Sequence, residues 1–272
     1  MFLVWIFVWD DDLDLPYSEV ASTKGQAIAY CRESVESARK SLSLTRSGGV
    51  NDVKVRAPFP IMGLFDEFAS TLLGATDQAQ RQRVFAEIEV YISEVAGEHA
   101  RQYDKILPNV DEYLQMRMGT SGIMVFLAFS DCINGIRLPE WVMQSDEMTT
   151  LKIETTRLAM FVNDIYSLKK EIISQTPQNI VPILLHRSKG KTLDETMLQL
   201  SIMFRTAAQQ FENGFDNLVV KVKDDHVVDK DMHVYADSCR TLVTGLIEWS
   251  KKTARYNLSQ YEDEGGVFKI PL

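Results

Sequence analysis

Residues 158–171, Leu158-Ala159-Met160-Phe161-Val162-Asn163-Asp164-Ile165-Tyr166-Ser167-Leu168-Lys169-Lys170-Glu171, carry the period that decides the fold. Asn163, Ser167 and Glu171 recur at i, i+4 and i+8, so on a helix they stay within a sector of about 80° along about 12 Å. Leu158, Met160, Phe161, Val162 and Ile165 surround them with core-forming side chains. Oxygen donors placed where a core would form cost free energy unless a cation or solvent compensates them. Amide, hydroxyl and carboxylate oxygens together suit a hard ion, and Mg²⁺ is the expected one.

About 150 residues earlier, Asp10-Asp11-Asp12-Leu13-Asp14 closes a strongly apolar stretch, Met1-Phe2-Leu3-Val4-Trp5-Ile6-Phe7-Val8-Trp9. On a helix Asp10 and Asp14 share a face, while Asp11 is rotated by about 100° and Asp12 by about 200°. Asp10 is therefore the best ligand, with Asp14 or Asp11 in support. Leu3, Ile6 and Phe7 continue the same stripe, so the face grades from apolar into carboxylate. The two clusters read as two metal-binding walls of one pocket.

Working outward, helical periodicity runs through most of the chain, and prolines fall between the periodic segments. The expected class is all-α, with helices over 23–44, 61–73, 77–107, 109–132, 145–174, 178–187, 193–222 and 229–261. The stretch from Ser47-Gly48-Gly49 through Pro58 and Pro60 reads as a loop. The mixed-charge run from Lys221 to Asp231 reads as a solvated connector. No internal repeat or low-complexity tract interrupts the pattern, and residues 1–272 are expected to form a single domain, a helical bundle with a central apolar pocket.

The formal net charge of -9, with 38 acidic against 29 basic residues, lacks the basic stripe that a nucleic-acid surface needs. Cys31, Cys132 and Cys239 are odd in number and widely spaced, so neither a disulfide framework nor a zinc site is expected; the chain reads as cytoplasmic and reduced. The apolar opening has no basic flank or small-residue cleavage site and runs straight into aspartates, unlike a signal peptide. No stretch approaches the ~20 apolar residues of a membrane span. His99, His186, His226 and His233 show no metal spacing, and surface or capping roles are expected.

With these residues in view, the chain resembles the class I terpene synthases, and most narrowly the fungal and bacterial sesquiterpene cyclases. Asp10-Asp11-Asp12-Leu13-Asp14 matches the family's DDxxD motif, and Asn163-Asp164 with Ser167 and Glu171 matches its NDxxSxxxE motif. Arg117 lies 46 residues before Asn163, the family's spacing for a diphosphate-sensing arginine, and Arg255-Tyr256 matches its late Arg-Tyr pair. The resemblance extends from Met1 to about Tyr261. It implies a bundle of the class I terpenoid synthase type in which Mg²⁺, as three ions with diphosphate bound, is held by Asp10, Asp11, Asp14, Asn163, Ser167 and Glu171. It further implies that Arg117, Lys170, Arg255 and Tyr256 grip the diphosphate and that the substrate is a prenyl diphosphate, above all farnesyl diphosphate, converted to a cyclic sesquiterpene.

In related bacterial enzymes the helix breaks just after the sensor, and a linker residue and a backbone carbonyl assist ionisation. Thr120 and Ser121 occupy those places here, between Gly119 and Gly122, and Thr120 replaces the acidic linker often found there. A carbocation also calls for aromatic surface and a dry cavity, for which Phe7, Phe126, Phe129 and Trp249 are candidates. Trp249 and Tyr256, seven residues apart, are expected on one helix face.

The resemblance places further helices before the aspartate-rich one, so the chain is read as amino-terminally shortened, with apolar surface laid bare on the first helix. That opens an alternative: a catalytically silent, truncated helical protein that binds a partner through that surface. A prenyl chain-elongating enzyme is set aside, because it would carry a second aspartate-rich motif where Asn163, Ser167 and Glu171 stand. A homodimer is allowed for, and product identity is left open.

Overall fold

A computed structural model describes residues 2–14, 23–44, 59–103, 107–174, 178–187, 190–265 and 267–271; the side chains of Leu3, Asp14 and residues 100–103 are also outside the description. Eleven α-helices are found among the described residues: α1 (Phe2–Asp14), α2 (Lys24–Ser41), α3 (Met62–Ala75), α4 (Gln78–Tyr103), α5 (Val110–Thr120), α6 (Ile123–Asn134), α7 (Glu140–Met143), α8 (Asp146–Ser174), α9 (Ile180–Arg187), α10 (Leu193–Val222) and α11 (His226–Lys252). No strand occurs among them; one isolated bridge joins Glu262 to Phe268. The all-α reading holds. The helices belong to two compact units, Met1–Ile106 with Met124–Ile133, and Leu107–Ile123 with Asn134–Leu272.

In the first unit, aromatic side chains at helical spacing build the core. Trp5, Trp9 and Phe65 are fully buried, and Trp9 stacks on Tyr30 of α2 with ring centroids 5.6 Å apart. The Trp9 indole N–H donates to Ser34 Oγ at 2.9 Å, which satisfies the one polar atom that its burial would strand. Each such large side chain contributes about 1.5–3 kcal/mol by leaving water. Arg83 on α4 donates to the buried Asp131 at 2.8 Å. His99 Nε2 lies 2.9 Å from the Leu13 carbonyl and caps the last turn of α1, the kind of role expected for the histidines.

In the second unit, α8 runs for 29 residues and packs against α5, α9, α10 and α11. Its contact with α10 is close because residue 214 is glycine; a Cβ there would lie 3.0 Å from Leu151 Cδ1 and 3.2 Å from Thr150 Cγ2. Capping boxes start α5, at Asn109 with Glu112, and α10, at Thr192 with Glu195.

Three expected boundaries are corrected. The span expected over 109–132 is two helices, broken at Ser121 and Gly122 just after the sensor position, where the resemblance implied a break; Gly122 takes φ +70°, a left-handed conformation that suits glycine. The charged run 221–231 is mostly helical and leaves a turn at 223–225 alone. Asp225 caps α11 by accepting from the amides of Val227 and Val228 at 3.1 Å each. The last long helix ends at Lys252 instead of Tyr261, with Thr253 extended at φ −68°, ψ 138°. The expected loop from Ser47 lies, up to Pro58, outside the described residues.

Candidate active site

In the second unit, the polar row of α8 is the centre of a hydrogen-bonded network. Arg117, one turn from the end of α5, donates from Nη2 to Asn163 Oδ1 at 3.2 Å. Its Nη1 donates to Thr120 Oγ1 at 3.3 Å, so the link between sensor and linker position is a hydrogen bond from the guanidinium to an uncharged hydroxyl and not an ion pair. Ser121 ends α5, and its hydroxyl accepts from the Ile123 amide at 3.3 Å. On its other side Asn163 donates from Nδ2 to the Tyr256 hydroxyl at 2.8 Å. Both ends of one amide are thus tied, and the carbonyl oxygen is turned toward the guanidinium.

Tyr256 is buried, and burial raises its pKa; the Arg255 and Arg117 charges oppose the rise and Glu171 adds to it. Trp249 meets the Tyr256 ring edge-on at 5.7 Å. The two rings touch although Tyr256 lies beyond α11, because the chain turns back after Thr253. Trp249 is 38% exposed. Lys170 is exposed, whereas its neighbour Lys169 lies over the Tyr261 ring at 4.4 Å and donates to the Pro271 carbonyl at 2.8 Å.

Ser167 is buried at 2% exposure, and its Oγ has no hydrogen-bond partner among the described residues. Glu171 Oε2 accepts from Asn179 Nδ2 at 2.8 Å. Asp164, rotated by about 100° from its neighbour Asn163, meets both α5 and α9: Tyr113 donates to its Oδ2 at 2.7 Å, and the Ile180 amide at 3.0 Å. Burial pushes the Asp164 carboxyl up to about 7, against the opposing pull of Arg117. Tyr113 and Arg117 are one turn apart on α5, so two side chains of one helix latch adjacent residues of another.

In the first unit, Asp10 Oδ1 accepts from the Tyr91 hydroxyl at 3.3 Å. Asp12, rotated away from Asp10 along the helix, accepts from Tyr30 at 3.1 Å. Asp11 is half-buried, and the Asp14 side chain lies outside the described residues. Phe7 is half-buried and packs on the unit's core. Phe126 and Phe129 join an aromatic cluster with Phe2, at 5.1 and 5.2 Å between centroids. They are core-packing residues of that unit.

The family described as terpene synthase family 2, C-terminal metal binding, matches residues 1–210. The chain belongs to the terpene synthases. It is 27% identical over 258 residues to the sesquiterpene cyclase hepA of Aspergillus oryzae, covering 94% of this chain and 70% of hepA. Pristinol synthase of Streptomyces pristinaespiralis is 25% identical over 99% of this chain and 68% of its own. Among solved structures, germacradien-4-ol synthase from Streptomyces citricolor shares the fold at a TM-score of 0.74 and 19% identity, over 93% of this chain and 76% of that one. Linalool/nerolidol synthase from Streptomyces clavuligerus, in complex with 2-fluorogeranyl diphosphate, does so at 0.77 and 18%, over 94% and 80%.

A terpene synthase of this family binds metal and takes a prenyl diphosphate, and the donor chemistry of α8 fits such an ion. Ser167 Oγ is consistent with this: a buried hydroxyl left without a partner among the described residues costs about 1–3 kcal/mol, and a cation bound there would satisfy it. Among the described residues no three carboxylate, imidazole or thiolate groups come close enough to hold a metal. A metal site on α8 would therefore need amide and hydroxyl oxygens as well as Glu171. Tyr113, Asp164 and Asn179 were not among the expected site residues. For Asn179 a signal existed, an asparagine directly before an apolar run.

Proposed function

We propose that this terpene synthase is a Mg²⁺-dependent class I cyclase that ionises farnesyl diphosphate and cyclises the resulting carbocation to a sesquiterpene. The observation that carries the reading is the Arg117–Asn163–Tyr256 chain of hydrogen bonds on the polar face of α8, with bonds of 3.2 and 2.8 Å. It is supported by the names borne by relatives, a sesquiterpene cyclase and a pristinol synthase. Residues 1–272 are read as one terpene synthase domain, since the family match extends over residues 1–210 and so runs through both units.

In this reading the allylic C–O bond breaks heterolytically and both electrons leave with the diphosphate oxygen. Three Mg²⁺ ions, when bound, would supply positive charge to stabilise the departing diphosphate. Asn163, Ser167 and Glu171 of α8 hold metal, and Asp10, Asp11 and Asp14 of α1 form a second metal-binding group. Arg117 grips diphosphate oxygens with its planar fork, while Arg255 and Lys170 add positive charge and the Tyr256 hydroxyl a donor. Thr120 and Ser121 sit at the helix break that follows the sensor, and Phe7 and Trp249 offer aromatic faces to the cation. The enzyme is read as a cytoplasmic one of isoprenoid secondary metabolism, and its mass in solution decides whether it is a homodimer. The alternative of a silent, partner-binding protein is less favoured, because such a protein has no use for the Arg117–Asn163–Tyr256 chain.

The test is incubation of the purified chain with farnesyl diphosphate, with and without Mg²⁺, followed by gas chromatography with mass spectrometry. Metal-dependent cyclic sesquiterpenes, reduced at least about 100-fold in Asn163→Ala, are expected. Absence of diphosphate release from every prenyl diphosphate tried would overturn the reading.

A further inference from the structure

Glu171 is held by a side chain that the polar row of α8 does not contain. Asn179 is fully buried at the start of α9. Its Oδ1 accepts from the Val181 amide at 2.9 Å, as a helix cap does. Its Nδ2 donates twice, to the Asp164 carbonyl at 2.7 Å and to Glu171 Oε2 at 2.8 Å. One amide thus joins the N-terminus of α9, the backbone of α8 and the carboxylate of the row's last residue.

Only an amide can do all three. Serine can accept from Val181 but has one proton to give, and aspartate can accept but has none and would set a second charge against Glu171. The direction of the bond matters as well. Side chains on a helix lean toward its N-terminus, and a Glu171 carboxylate that shares a donor with the Asp164 carbonyl is held back along the α8 axis, toward the turn that carries Ser167. A long carboxylate side chain otherwise has several rotamers to lose when it binds an ion.

We propose that Asn179 is a positioning residue for the metal-binding face of α8, orienting the Glu171 carboxylate before metal arrives; this rests on the reading of Asn163, Ser167 and Glu171 as metal ligands. Partners of this kind behind a metal ligand are typically worth about 10- to 100-fold in metal affinity.

The test separates the two duties of the amide. Asn179→Ser keeps an acceptor for the Val181 amide and removes the donor to Glu171. Mn²⁺ binding in the presence of inorganic diphosphate, followed by electron paramagnetic resonance, should weaken at least about tenfold. The Mg²⁺ concentration for half-maximal turnover should rise in step, while kcat at saturating Mg²⁺ stays within about threefold, a split that general loosening of the fold would not give. In a Glu171→Ala background the same change should add nothing to the loss of Mn²⁺ affinity. Should Asn179→Ser fail to fold, Asn179→Asp retains a cap acceptor, lacks the N–H, and should show the same weakening. Unchanged Mn²⁺ affinity in a folded variant, or an equal further loss in the Glu171→Ala background, would refute the positioning role alone. A wild-type chain that binds no Mn²⁺ with diphosphate would refute the metal reading of α8 and this inference with it.

Discussion

A serine hydroxyl buried without a partner is a cost that the apoprotein carries for no structural return. Ser167 Oγ is such a group, so Ser167→Ala should stabilise the metal-free protein by about 1 kcal/mol, or about 2–4 °C in Tm for a chain of this size. The same change removes an oxygen from the proposed metal site and should raise the half-saturating Mg²⁺ concentration at least about tenfold. Calorimetry without metal and turnover against Mg²⁺ measure the two halves; a variant that is less stable and binds Mg²⁺ as well as the wild type would mean that the hydroxyl is structural. Ser167 could be picked out from sequence because Asn163 and Glu171 flank it at the helical period. Tyr113 could not, because its partner on α8 is 51 residues away, and the cap signal at Asn179 marks a helix start but not the contact with Glu171, which folding makes. Asp164 was visible as part of a motif, but the side of the helix it serves became clear only with α9 beside it.

Between elements, the tightest constraint is the approach of α10 to α8. Alanine at position 214 would gain up to about 1 kcal/mol of helix propensity, but its Cβ would stand 3.0 Å from the Cδ1 of Leu151, which is fully buried. Overpacking of that kind costs about 1–3 kcal/mol and outweighs the gain, so Gly214→Ala should lower stability by about 1 kcal/mol. Urea unfolding of the two proteins decides this, and a variant as stable as the wild type would show that Leu151 can give way. Most helices could be read from periodicity, and α10 falls on the expected residues 193–222. The errors lie where a side chain overrides the pattern. Asp225 starts a helix inside a run of charge that resembles a solvated loop. Trp249 and Tyr256 keep helical spacing across a real helix end, because Asn257 at φ +51° belongs to a turn that brings the chain back.

For the molecule as a whole, stability changes with pH only through groups whose pKa differs between the folded and unfolded chain. The net charge of -9 says little about this; two carboxylates of α8 say more, because they pull in opposite directions. Burial raises the Glu154 pKa above its ordinary 4.5, with Arg157 opposing the shift through a 2.7 Å ion pair. The folded chain therefore holds that proton more tightly than the unfolded one, and the stability Glu154 provides at low pH is lost as pH rises from about 4.5 through its folded pKa. Glu147 is shifted down, first by its hydrogen bond to Lys221, so its contribution is present above 4.5 and lost as pH falls below that value. Glutamine at either site removes the titration. The Tm of Glu154→Gln minus that of the wild type should grow as pH rises from about 4 to 7, whereas the same difference for Glu147→Gln should fall. Both positions lie outside the Arg117–Asn163–Tyr256 network, so turnover at saturating Mg²⁺ should stay within about twofold of the wild type in each variant. Thermal melts across that pH range give the sign directly. Parallel curves for the wild type and Glu154→Gln would mean that water or Arg157 compensates the buried carboxylate in full.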